Sequence, residues 1–125
     1  MFLQLSHTKL EVYKQAYALS VEAYAICKIL PDSERYILVS QIQRASISVY
    51  LNIAEGSSRK SSKERKRFFE MARGSLIEID SALDIAVGLN FLNKDHIEKI
   101  GERIVKTFKL LSGMIGNTHT LTTHH

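Results

Sequence analysis

The chain has 125 residues, 45% hydrophobic and 24% charged, with one proline, one cysteine and six glycines. This is the composition of one globular domain with its own core; it excludes a disordered chain, an internal disulfide framework and, with so few turn residues, an all-β fold. Seventeen Lys and Arg against thirteen Asp and Glu leave a net charge of +4, which permits a nucleic-acid partner without requiring one.

Lone Cys27 suits a reducing compartment. The opening Met1-Phe2-Leu3-Gln4-Leu5-Ser6 lacks the basic and apolar regions of a signal peptide. No stretch approaches the roughly 20 apolar residues that cross a bilayer. The expectation is a cytoplasmic protein with no membrane partner.

Helical periodicity runs through the chain. The first predicted helix spans about Leu10 to Leu30, with Leu10, Tyr13, Tyr17, Ser20, Tyr24 and Cys27 on one stripe and Val12, Leu19 and Ile26 on a second line. Pro31-Asp32-Ser33 ends it and caps the next. The second helix runs from about Glu34 to Glu55 and stops near Gly56. After a polar connection, Ser61-Ser62-Lys63-Glu64 reads as a capping box, in which Ser61 accepts a backbone N–H and Glu64 reaches back. The third helix runs to about Leu89 on a core stripe of Phe69, Ala72, Leu76, Ile79, Leu83 and Val87. Gly88 to Asn93 makes a turn, and the fourth helix follows with Ile97, Ile100, Ile104, Phe108, Leu111 and Ile115 inward.

These elements predict an all-α fold, an antiparallel up-down-up-down four-helix bundle over residues 8–117, with a polar tail at 118–125. His119, His124 and His125 fall in that tail, where they read as adventitious metal ligands or appended residues.

A surface helix needs an apolar stripe of only about 100°. On the second helix, Leu38, Ile42, Ala45, Val49 and Ile53, continued by Val39, Ile47, Tyr50 and Ala54, span nearly 200° at about 100° per residue. On the third, Met71, Ile77 and Ile85 lie away from the core stripe. Both excesses point to a ring-like homo-oligomer; the plainer reading is scattered surface apolar residues.

The remaining sector of the second helix is polar: Gln41, Arg44, Ser48, Asn52 and Glu55, with Tyr50 grouped beside them. It reads either as a solvated face or as a polar seam or subunit interface, flanked by Ile37 and Leu51. Arg44 would then meet a carboxylate such as Glu55 or Glu78 on another helix, since buried polar groups need partners.

The densest charge is a basic cluster of Arg59, Lys60, Lys63, Arg65, Lys66 and Arg67, opposed by Glu64 and extended by Arg73. Lys63, Lys66, Arg67 and Arg73 fall opposite the core stripe; Arg65 points nearer the core side. A helix start carries partial positive charge, so each cation there is unfavourable by roughly 0.3–1 kcal/mol. Such placement suggests an external anion, either a phosphate backbone or an acidic protein surface; the plain alternative is a solvated helix end. Phe68 and Phe69 are expected to face the core, so the expected contact is with backbone and shape rather than with stacked bases.

Nothing in the sequence assembles a catalytic or metal site, and neither enzymatic activity nor a cofactor is expected. Cys27 lies on a core stripe, and His96 with Glu98 or Glu102 lacks a second metal-binding histidine.

The run Gln41-Ile42-Gln43-Arg44-Ala45-Ser46-Ile47-Ser48-Val49-Tyr50-Leu51-Asn52-Ile53-Ala54-Glu55-Gly56-Ser57-Ser58-Arg59 resembles the four-helix bundle proteins encoded in intervening sequences of bacterial 23S ribosomal RNA genes. That family's pattern is a Gln, a paired Arg-Arg-Ala, a Ser, then Asn-Ile-Ala-Glu-Gly and a following Arg. Leu10-Glu11-Val12-Tyr13-Lys14-Gln15-Ala16 resembles its opening helix, and Phe69-Glu70-Met71-Ala72-Arg73-Gly74-Ser75-Leu76-Ile77-Glu78 its third. Gln43 departs from the arginine pair, and Tyr50 stands where a small residue or proline is common. The resemblance implies an antiparallel bundle assembling as a homopentamer, with RNA binding suggested by the genomic association. Related accessory proteins of diversity-generating retroelements bind nucleic acid and a reverse transcriptase. Gly74, on the outward sector of the third helix, is expected to mark either a close approach by a neighbouring helix or a kink.

Two functional readings follow: a non-enzymatic oligomer binding RNA or DNA backbone, or a structural adaptor for a protein partner such as a reverse transcriptase or RNA-processing enzyme.

Overall fold

The computed structural model describes Leu3, Leu5 and residues 10–117. The regular elements are α1 (Glu11–Cys27), a 3-10 turn (Asp32–Glu34) running into a π-helical turn (Arg35–Val39), α2 (Ser40–Ser58), α3 (Ser62–Gly88) and α4 (Lys94–Asn117), with no strand among the described residues. α1 packs on α2 and α4, and α3 packs on the same two, so four helices close around one core. No described helix is long and apolar enough to cross a membrane. The 118–125 tail, with His119, His124 and His125, lies outside the described residues.

In α1 the buried line is Val12, Ala16, Leu19, Ala23 and Ile26, flanked by Tyr13 and Cys27. The expected tyrosine stripe is corrected here, because Tyr17 and Tyr24 are exposed. Both lines recur at helical spacing, so periodicity cannot rank them. The small Ala16 and Ala23 let α1 approach its neighbours closely, and that places the tyrosines at the flank.

Pro31, extended at φ −67° and ψ 152°, breaks the chain after α1. The next segment does not start as a regular helix. It tightens into the 3-10 turn and then widens into the π turn, so Leu38 enters the core while Tyr36 and Ile37 stay in solvent at 84% and 64% exposure. Leu51, which flanks the polar sector of α2 with Ile37, is also exposed. α2 runs past Gly56 to Ser58.

The α3 stripe is placed as expected, with Phe69, Ala72, Leu76, Ile79 and Leu83 buried. α3 ends with Asn90 in the left-handed region at φ 64°. Phe91 N–H donates to Ala86 O and Asn90 N–H to Val87 O, both at 2.9 Å, the paired bonds of a Schellman ending. In α4 the expected inward Phe108 is corrected: it sits at the rim, 37% exposed, and Thr107 is buried beside it. Thr107 Oγ1 donates to Arg103 O at 2.6 Å, which satisfies the hydroxyl inside the core.

Candidate nucleic-acid interface

The α2–α3 connection positions the basic cluster. Gly56 is buried where α2 meets the first turns of α3, and an added Cβ would lie 2.8 Å from Phe69 Cε1. This contact brings the end of α2 against the start of α3 across the short connection Arg59-Lys60-Ser61. Ser61 caps α3, its Oγ accepting Glu64 N–H at 3.0 Å. The expected return bond from Glu64 is replaced: its carboxylate turns toward Arg59 Nε, 4.0 Å away.

The cations divide into two groups. Arg59 pairs with Glu55 at 2.5 Å and so is largely neutralised at the end of α2. Arg65 Nη1 donates to the Arg59 and Lys60 carbonyls, both at 2.8 Å, and ties the connection to α3. Arg73 reaches α4, where Nη1 donates to Ser112 Oγ at 3.1 Å and the guanidinium lies 5.7 Å from the Phe108 ring. These three serve the fold. Arg73, expected to face outward, is corrected to a half-buried bridge between helices. Lys60, Lys63, Lys66 and Arg67 form no ion pair with an acid among the described residues, and Lys60, Lys63 and Arg67 are exposed.

Phe68 corrects a second expectation. It is half-buried rather than in the core, with the Arg67 guanidinium 4.5 Å and the Arg59 guanidinium 5.0 Å from its ring centroid. The sequence carried a signal: Phe69 already occupies the stripe, so Phe68 falls about 100° away.

The polar seam is only partly assembled. Ser75 of α3 donates to Ser48 Oγ at 2.9 Å, and Asn52 Nδ2 donates to Ser48 O at 2.9 Å. Gln41, Arg44 and Glu55 are exposed. The expected Arg44–carboxylate pair is absent within the described residues: Arg44 contacts Ser40 Oγ at 3.4 Å, and Glu55 pairs with Arg59. Tyr50 lies apart from the seam, stacked on Tyr13 of α1 at 4.5 Å, and burial raises its phenol above the ordinary range. A polar clip that sequence reasoning missed joins α1 to α4. Arg103 Nε donates to Glu22 Oε2 at 3.2 Å and Nη1 to Gln15 Oε1 at 3.1 Å.

Cys27 is buried, and burial pushes its thiol up to about 11, the reverse of nucleophile activation. His96 is a capping residue: it donates its N–H to Asn93 Oδ1 at 3.1 Å, and its Nδ1 accepts Asn93 N–H at 3.0 Å. Among the described residues no cluster of His, Cys, Asp or Glu could hold a metal ion.

Residues 8–113 match the family model described as 23S rRNA-intervening sequence protein. The chain belongs to the 23S rRNA-intervening sequence protein family. It is also similar to a crystal structure of a protein with unknown function from the S23 ribosomal protein family, from Bacteroides thetaiotaomicron. The two share 20% identity with a TM-score of 0.77, over 83% of this chain and 97% of that one. At that identity the likeness carries the fold. No curated protein matches the chain.

Within this 23S rRNA-intervening sequence protein, the family-like run Gln41–Arg59 has two uses. Ala45, Val49 and Ile53 are buried in the shared core and Gly56 meets Phe69 of α3, while Glu55 and Arg59 pair at the end of α2.

Proposed function

We propose that this protein is a non-enzymatic, oligomeric nucleic-acid-binding protein that contacts RNA backbone through the first turns of α3. One observation carries the reading: among the described residues Lys60, Lys63, Lys66 and Arg67 form no ion pair with an acid, and Lys60 and Lys63 flank a helix start whose dipole disfavours cations. Phosphates would relieve that repulsion, and the positive end of the α3 dipole adds to the attraction. The family description, 23S rRNA-intervening sequence protein, supports the choice of RNA as the partner. The reading includes an antiparallel up-down-up-down bundle closing into a ring of five, with a formal charge of about +20 from five copies of a +4 chain. Weak phosphate contacts repeated around such a ring reinforce one another.

The test is fluorescence anisotropy with labelled structured RNA at several salt concentrations, comparing the wild type with Lys63→Glu/Lys66→Glu. Affinity should fall linearly with salt on logarithmic axes. The double variant should lose binding while retaining its size in solution. Absence of binding by the wild type at low salt overturns the reading.

A second reading, a scaffold for a protein partner such as a reverse transcriptase or RNA-processing enzyme, is favoured by exposed Tyr36, Ile37, Ile77 and Ile85 around one groove. It predicts co-purification of an acidic partner and no RNA affinity from the protein on its own.

A further inference from the structure

Phe68 packs beside Gly56 at the edge of the bundle, and its ring is flanked by cations. It is half-buried and lies outside the hydrophobic core cluster, with two guanidinium groups over its ring. The two arginines differ. Arg59 is anchored by Glu55 and Glu64, which neutralise it and hold it in place. Arg67 is exposed, has no acidic partner among the described residues, and lies closer to the ring, at 4.5 Å. A planar guanidinium on an aromatic ring keeps its other face and its N–H donors available. Flat, weakly hydrated surfaces of this kind are where unpaired bases stack. Lys63 precedes Arg67 by four residues and so shares its helix face, with Lys66 adjoining it.

The geometry points to a stacking platform made by Arg67 and Phe68, which takes an unpaired base of single-stranded or looped RNA while Lys63 and Lys66 hold the flanking phosphates. The platform rests on the RNA-binding reading and deepens it from backbone contact to recognition of unpaired nucleotides. Duplex bases are stacked on one another and cannot present their faces to it.

The experiment compares a short fluorescein-labelled single-stranded RNA with a blunt RNA duplex of equal phosphate number, by anisotropy at fixed salt. Phe68→Leu keeps an apolar side chain beside Gly56, and Arg67→Lys keeps the charge while removing the plane. The wild type should bind the single strand about tenfold more tightly than the duplex, the scale of one stacked base. Each variant should reduce that preference several-fold, lowering single-strand affinity more than duplex affinity, with the protein still folded by its thermal midpoint. If Phe68→Leu fails to fold, exposed Arg67→Lys still reads the platform. Equal wild-type affinity for the two probes, or a preference that survives both variants, overturns the platform and leaves the backbone reading standing. Binding to neither probe overturns both.

Discussion

A methyl group added at Gly56 would stand 2.8 Å from Phe69 Cε1 and 3.0 Å from Phe68 Cβ. Phe69 is 3% exposed and has no room to retreat. Gly56→Ala should therefore destabilise the protein by about 1–3 kcal/mol, the usual cost of overpacking, read from the urea midpoint. Its position in the sequence marked it as a helix stop, yet α2 continues to Ser58. The true constraint is a ring from another helix, and no local pattern reports that. Gly74 is the converse. An added Cβ there meets nothing within 4 Å among the described residues, so the expected close approach does not come from the four described helices.

Among the elements, α3 was the most legible. Its start at the Ser61 cap and its buried stripe follow from local chemistry and a single period. α1 was half legible, because two lines of apolar residues competed and the one rich in alanine won. The clip between α1 and α4 could not be read at all: Arg103 and Glu22 are 81 residues apart. Glu22 Oε1 is buried with no hydrogen-bond partner among the described residues, so its carboxylate depends on what reaches Oε2. Arg103→Leu removes the donors to Glu22 and Gln15 and leaves that carboxylate to Lys99, 3.7 Å away and largely exposed. The variant should lose about 1–3 kcal/mol of stability in chemical denaturation, the range for hydrogen bonds to charged groups. Lys99→Ala should change little, as expected of an exposed ion-pair partner.

On the molecular scale, the excess apolar residues of α2 and α3 separate into two fates. Tyr50 and Ala54 are absorbed by packing within the chain, whereas Ile77 and Ile85 remain 54% and 55% exposed. With Tyr36 and Ile37 they border a groove of about 560 Å³ whose rim carries Arg44 and Glu78. If the proposed ring forms through this groove, Ile77→Asp/Ile85→Asp should convert it to monomers by light scattering while leaving helix content unchanged. A wild type that is already monomeric would remove the ring from the proposed function.

The order of residues was enough for four helices and the breaks between them, because caps, proline and helical period all act within a few residues. It was not enough to say which cations are free. Arg59, Arg65 and Arg73 resemble Lys63 and Arg67 in sequence, yet a carboxylate, two carbonyls and a serine of another helix occupy them. Phe68 and Phe69 are likewise adjacent, and only one enters the core. Such differences arise when helices distant in sequence meet, since burial and pairing are properties of the space between helices rather than of any one of them.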